Sequence, residues 1–277
     1  MTRLQRSRAL RWLCTLAAAA ALIVVLFPVY AVIVGSFEST ETLFSGTYYW
    51  LPHAPTLDNF RTVIQAQSAN VLTSLIVGVG TAVLALVVAV PAAYALAKYR
   101  LRVTVVMVSA LLVAQIVPSI VLATSLFIIF HWIHLVNTYP GLIIADGTYA
   151  IPFAILVLRA FLFSLPDEVM QAARVDGASE WQTFLRIVMP LARSAVITVA
   201  VFAFLNGWGD FIFALTILNG ATIVPITLGI YTYLGNFSTD WGAVMASAAF
   251  AMVPAAVMLA VAQRYIASGL TAGSVVG

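Results

Sequence analysis

Long apolar runs alternate with short polar connections along this chain, and one polar stretch interrupts the alternation. The runs cover residues 12–35, 69–97, 103–130, 139–163, 194–219 and 242–266. An apolar bilayer core about 30 Å thick takes roughly 20 helical residues per crossing, because backbone N–H and C=O groups there must bond within the segment. Each run meets that length, so the pattern predicts an all-α, polytopic membrane protein with six transmembrane helices. The exception lies between the fourth and fifth runs, where residues 164–190 include the sequence Q-A-A-R-V-D-G-A-S-E-W-Q-T-F-L-R-I-V-M-P from Gln171 to Pro190.

The polar stretch carries its own punctuation. Ser164 and Asp167 stand in S-x-x-D capping spacing, with Pro166 and Glu168 suited to a first helical turn, so a short helix is expected through Val169 to Val175. Gly177 is placed to end it in the left-handed conformation open to glycine. Ser179 and Gln182 repeat the capping signal as S-x-x-Q, and Pro190 is expected to stop the second helix before the fifth run. The prediction is helix, glycine joint, helix. Trp181, Phe184, Leu185 and Val188 fall at i, i+3, i+4 and i+7 of the second helix, one apolar stripe on a segment outside the membrane. Such a stripe folds back on the chain's own spans, lies in the headgroup layer, or fills a groove on a soluble partner; periodicity alone does not choose.

Composition agrees with lipid as the solvent: 63% of residues are hydrophobic, 8% are charged, and the mean hydropathy is +1.06. The basic residues set an orientation. Arg3, Arg6, Arg8 and Arg11 precede the first run, Lys98, Arg100 and Arg102 separate the second and third, and Arg159, Arg174, Arg186 and Arg193 surround the polar stretch, with Arg264 ending the sixth run. Only Arg61 falls in a connection of opposite parity, so both termini and the polar stretch are expected on the cytoplasmic side. The first run also fits a signal peptide by its basic start, but it is too long for a signal h-region and lacks a small-residue cleavage site, which favours an anchor.

Catalytic chemistry is missing from the sequence. There is no phosphate loop, no H-E-x-x-H, and no Cys/His cluster at ligand spacing. The single Cys14 permits no intramolecular disulfide. His131 and His134 share a helical face beside Trp132, where an interfacial aromatic belt accounts for them, and His53 stands alone. No catalytic residue, metal or cofactor is expected.

At the polar stretch the chain resembles the membrane permeases of ATP-binding-cassette (ABC) importers, whose cytoplasmic loop follows E-A-A, three residues, Gly, nine residues, Ile, one residue, Leu-Pro. Ala172, Ala173, Gly177, Ile187 and Pro190 occupy matching positions, and Asp176, Gly177, Ala178 and Ser179 give the fuller D-G-A-S form. Gln171 replaces the usual Glu, removing a charge, and Met189 replaces Leu at nearly equal volume. Further segments resemble the maltose-type carbohydrate permeases, specifically their six-span subunit. These are Ile151 to Ala154, Asn206 to Phe211, Asp240 to Gly242, Met245-Ala246, Pro254, Gln263 to Tyr265, and the ending G-L-T-A-G-S-V-V-G from Gly269.

The resemblance implies a single MetI-like ABC permease domain over residues 1–277, with a cytoplasmic coupling loop at 164–190 and a cytoplasmic tail at 267–277. It implies a bacterial or archaeal plasma (inner) membrane and a second permease as heterodimer partner. It also implies two ATP-binding-cassette ATPase subunits beneath the pair, an extracytoplasmic sugar-binding protein, and a sugar, an oligosaccharide or disaccharide, as substrate; no nucleic acid is implied. Gln171, Ala172, Ala173, Asp176, Gly177, Ala178, Ser179, Trp181, Phe184, Ile187 and Pro190 become the expected coupling residues. ATP hydrolysis would be the partners' work. Polar groups inside the runs are the candidates for the substrate pathway: Asp146, Tyr149, Asn206, Trp208 and Asp210, with Gln115 and Ser119 weaker. A structural hydrogen bond to a neighbouring span is the competing role for Asp146 and Asp210. Permeases for other polar nutrients, and ion-coupled secondary carriers that transport alone, are the rival classes.

Overall fold

The computed structural model describes residues 3–45, 50–99, 102–220, 222–234 and 239–272, with the side chains of 3–10, 102, 167 and 264–272 excepted. Thirteen α-helices run through the described residues. The long ones are α1 (Arg3–Ser36), α3 (Asp58–Lys98), α6 (Tyr139–Phe163), α10 (Arg193–Gly209) and α13 (Trp241–Ala272). Shorter ones are α2 (Thr40–Leu43), α4 (Arg102–Ala114), α5 (Ser119–Trp132), α7 (Asp167–Val175), α8 (Glu180–Thr183), α9 (Met189–Leu191), α11 (Ile212–Ile217) and α12 (Ile226–Tyr231). Extended pairing among the described residues is one isolated bridge, Leu234 with Thr239. The fold class is therefore all-α.

Four helices are long and apolar enough to cross a membrane, or up to six if each of two bent pairs counts as one span. The run at 103–130, expected as one crossing, is broken between α4 and α5, which bend by 99°. Pro118 is the cause: it has no N–H to give the preceding turn and stands as the extended N-cap of α5. At the break Tyr149 of α6 donates its hydroxyl to the freed Val117 O, and Gln115 Nε2 donates across to Tyr149 O at 3.1 Å. The run at 194–219 is also interrupted, α10 ending at Gly209 and α11 starting at Ile212. Helix α13 continues into residues expected as a tail, to Ala272, and the rest of the G-L-T-A-G ending lies outside the described residues.

The chain divides into two units. The first holds residues 1–68 and 230–252. Within it Asn59 Nδ2 donates to Ser36 O and Glu38 O at 3.1 and 2.8 Å, and Thr40 Oγ1 donates to Asp240 Oδ1 at 2.7 Å while accepting from Gly242 N–H. Asp240 also caps α13 through Ala243 N–H at 3.0 Å. The apolar side chains of α1 from Trp12 to Phe27 are exposed, as a lipid-facing helix requires.

The second unit holds residues 69–229 and 253–277, and its core is the α3, α6 and α10 bundle. Ala89, Ala93, Leu158, Val188 and Val199 fill the end nearer the polar stretch; Val77, Phe130, Leu142, Phe213 and Ile217 fill the other. Between them Ala85, Ala150 and Ala203 let the three helices close together. Gly207 marks a close approach of α10 to α3, for a Cβ there would stand 2.8 Å from Thr81 Oγ1 and 3.2 Å from Gly78 Cα.

Candidate functional site

The polar stretch folds as two short helices about a glycine. Helix α7 starts at Asp167 after Pro166, whose φ of −60° and ψ of 131° give an extended N-cap without a side-chain bond. The capping role expected of Ser164 is wrong. Ser164 belongs to the end of α6, and its hydroxyl donates backwards to Phe161 O at 2.7 Å. The other end follows expectation: Gly177 has φ +81°, its N–H reaches Arg174 O at 3.1 Å, and Ala178 N–H reaches Ala173 O at 3.0 Å, the paired bonds of a Schellman ending. Ser179 and Gln182 form a full capping box, with bonds of 3.2 and 2.9 Å.

Pro190 does not stop the second helix. Helix α8 passes into a π turn at Phe184–Val188, then α9 carries the coil through Pro190 to Leu191, and the chain bends by 76° into α10. In the π turn Met189 N–H reaches Phe184 O, five residues back. A proline ring collides with the carbonyl four residues earlier, here Arg186, and a widened turn relieves that collision.

The extra residue in that turn splits the expected apolar stripe. Phe184 is 7% exposed, its ring 4.8 Å from Tyr94, and Val188 is 2% exposed in the bundle core. These two fold back on the chain, with Ala173 and Thr183 buried beside them. Trp181 is 65% exposed and Leu185 and Val175 are exposed with it, although Trp181 keeps an edge on Phe184 at 5.5 Å. Gln171, Ala172, Asp176, Gly177, Ser179 and Pro190 are exposed; Ala178 and Ile187 are half-buried. Sequence reasoning missed Glu180, which pairs with Lys98 Nζ and with Arg174 at 3.1 Å. Lys98 had counted only as one of the orienting charges.

The pathway candidates gather elsewhere in the same unit. A groove of about 420 Å³ is lined by Ser119, Asp146, Tyr149, Asn206, Asp210 and Phe213, with Gly209 open to it. No Lys, Arg or His is among the described lining residues. Asp146 is fully buried, neither of its carboxyl oxygens has a hydrogen-bond partner among the described residues, and the Thr81 hydroxyl facing it makes no bond of ordinary geometry. Asn206 Nδ2 donates to Asp146 O at 3.3 Å.

Asp210 has a structural role. It sits in extended backbone between α10 and α11, and its carboxylate accepts from Phe213 N–H at 3.1 Å and Ala214 N–H at 2.8 Å, capping α11. Because α10 ends at Gly209, Asp210 does not continue the helical face that carries Asn206. Trp208 lies off the groove, buried and stacked on Phe204 at 5.9 Å, which removes it as an aromatic platform there. Residues 206–211 are the place where the carboxylate's capping signal could have been seen, since an Asp directly before a short apolar run is an N-terminal mark.

Residues 85–272 match the family described as "Binding-protein-dependent transport system inner membrane component". The trehalose transport system permease protein SugB of Mycobacterium tuberculosis is 34% identical, over 91% of this chain and 93% of its own length. The arabinooligosaccharides transport system permease protein AraQ of Halalkalibacterium halodurans is 30% identical, over 97% of each chain. In fold, the chain superposes with a TM-score of 0.77 on a chain of a bacterial ABC transporter involved in import of the acidic polysaccharide alginate, at 20% identity and covering 96% of this chain and 98% of that one. With most of its length matched by the family and by relatives of equal extent, this chain belongs to the inner membrane components of binding-protein-dependent transport systems.

Proposed function

We propose that the chain is one of two permease subunits of an ABC importer for a neutral sugar, coupled through residues 164–190 to ATPase subunits on the cytoplasmic side. The observation that carries this reading is the loop itself. Its fold is fixed by a Schellman ending and a capping box, one face is anchored on the bundle by Phe184 and Val188, and the other leaves Trp181, Leu185 and Val175 exposed. Aromatic and aliphatic side chains on a rigid helix pair are what a groove on a soluble partner accepts. The clustering of basic residues at this end favours the cytoplasmic side, with both termini there and six crossings if each bent pair is one span.

A sugar fits the groove's chemistry. Asn206 offers both donor and acceptor, Tyr149 and Phe213 supply ring surface, and Asp146 lies buried in the groove wall behind them. Carboxylates without a cation among the lining residues favour a neutral saccharide over an anionic one. Trehalose and arabinooligosaccharides, named for the two relatives, are the first candidates. An extracytoplasmic binding protein would deliver the sugar, and the second permease would complete the pathway.

The test is to express the chain with the permease, ATPase and binding protein encoded beside it. ATPase co-purification, and uptake of labelled neutral saccharides that requires every subunit, are expected. Transport by this chain alone would sink the reading, and uptake confined to amino acids or to anionic glycans would replace the substrate.

A further inference from the structure

Where the loop meets the bundle, one carboxylate ties three elements together. Glu180, the first residue of α8, pairs with Lys98 in the last turn of α3 and with Arg174 in the last turn of α7, at 3.1 Å for the arginine. The two cations differ in setting. Arg174's side chain is half exposed, whereas that of Lys98 is 9% exposed, with its ammonium over the rings of Tyr94 and Tyr99 at 5.5 and 5.3 Å. Tyr94 in turn packs on Phe184. One turn of α3 therefore holds α8 by a charge contact at Lys98 and the π turn that follows it by a ring contact at Tyr94, side by side.

We infer that Lys98 and Glu180 form the joint through which the docked loop moves α3, with Lys98 a positioning residue for coupling. The inference rests on the loop's being the ATPase docking segment. A motion imposed on the loop reaches the spans only through contacts strong enough to hold while it moves. A largely desolvated ammonium resists parting from its carboxylate, because an unpaired buried charge is costly. Arg174 closes the angle across Gly177, so α7 and α8 move as one piece. Docking and transmission are thus divided between surfaces: Trp181, Leu185 and Val175 are exposed, whereas the side chain of Lys98 is largely covered by the chain itself.

The experiment uses the complete transporter, with co-purification of ATPase subunits, ATP turnover, and import of labelled trehalose and arabinooligosaccharide per ATP as readouts. Lys98→Met keeps the stem and removes the charge. It should leave co-purification and ATP turnover near wild type and lower import per ATP about tenfold, within the usual range of coupling energies. Glu180→Gln should act in the same direction, and Lys98→Arg should retain most import. The exchange Lys98→Glu with Glu180→Lys places both signs again and should recover import. A Lys98→Cys, Glu180→Cys pair on a Cys14→Ser background should be uncoupled when reduced and recoupled by a short thiol cross-linker.

Wild-type import per ATP in Lys98→Met, or a cross-linked pair no better than the reduced one, would overturn the joint. Loss of ATPase binding in Lys98→Met, if not repaired by the exchange, would also overturn it and make the pair part of loop folding. A wild-type chain that never co-purifies with an ATPase would instead remove the docking reading on which the joint rests.

Discussion

Replacing Gly177 isolates the glycine joint, because its surroundings are empty. The residue has φ +81° and a Cβ built there would meet no atom within 4 Å, so any penalty is backbone alone and no packing contact offsets or enlarges it. The left-handed region costs an L-residue about 1–2 kcal/mol, with β-branched residues at the upper end and Asn below it. That is small beside a fold's total of about 5–15 kcal/mol, so Gly177→Val should insert and accumulate normally. It is large for a local equilibrium: 1–2 kcal/mol shifts the populations of two loop conformers by about 5- to 30-fold. Import per ATP should fall by that range in Gly177→Val, less in Gly177→Ala, and least in Gly177→Asn. Uptake of labelled sugar and substrate-stimulated ATPase activity, measured on equal amounts of assembled complex, give the order. If the Val variant matches glycine in both, the left-handed joint is irrelevant to coupling and the reasoning fails.

The split stripe separates two aromatic truncations that a continuous stripe would treat alike. Trp181→Ala should weaken ATPase co-purification by about 2 kcal/mol with unchanged thermal stability, whereas Phe184→Ala should lower the melting temperature through a loss of about 3–5 kcal/mol; equal behaviour in both assays would refute the split. Asp210→Ala should destabilise by about 1–2 kcal/mol through loss of the α11 cap while Asp210→Asn keeps most stability, read by thermal unfolding in detergent. Asp146→Asn should alter uptake kinetics with assembly intact, and normal kinetics for every sugar would take the groove out of the pathway. Ser179→Ala should cost about 1 kcal/mol of loop order, visible as faster amide exchange at Gln182, and unchanged exchange there would contradict the capping box.

What could be read in advance was whatever the local backbone decides. Gly177, Ser179 and Gln182 act within a few residues of themselves, so their spacing carried their geometry. Ser164 has the same chemistry and misled, because a hydroxyl can turn back to the preceding helix as readily as forward, and only the position of α6 decides. The division of the stripe needed two facts of different range: the widened turn before Pro190, and Tyr94 waiting on another helix to receive Phe184. Long apolar windows concealed the breaks at Pro118 and Asp210, since hydropathy sums over residues and does not register where hydrogen bonds stop. The Lys98 to Glu180 contact spans far more sequence than any motif, so its members showed only as charges.

The two-faced loop has a consequence for how such transporters diversify. Because Phe184 and Val188 secure the loop from within while Trp181, Leu185 and Val175 stand free, the exposed side can change without disturbing insertion of the spans. On the docking role proposed above, mutational drift on that side is nearly neutral for the permease and decisive for the company it keeps. A chain built this way can be served by a motor shared among several importers, or acquire a new one by a handful of surface exchanges, with its pathway for substrate left as it was.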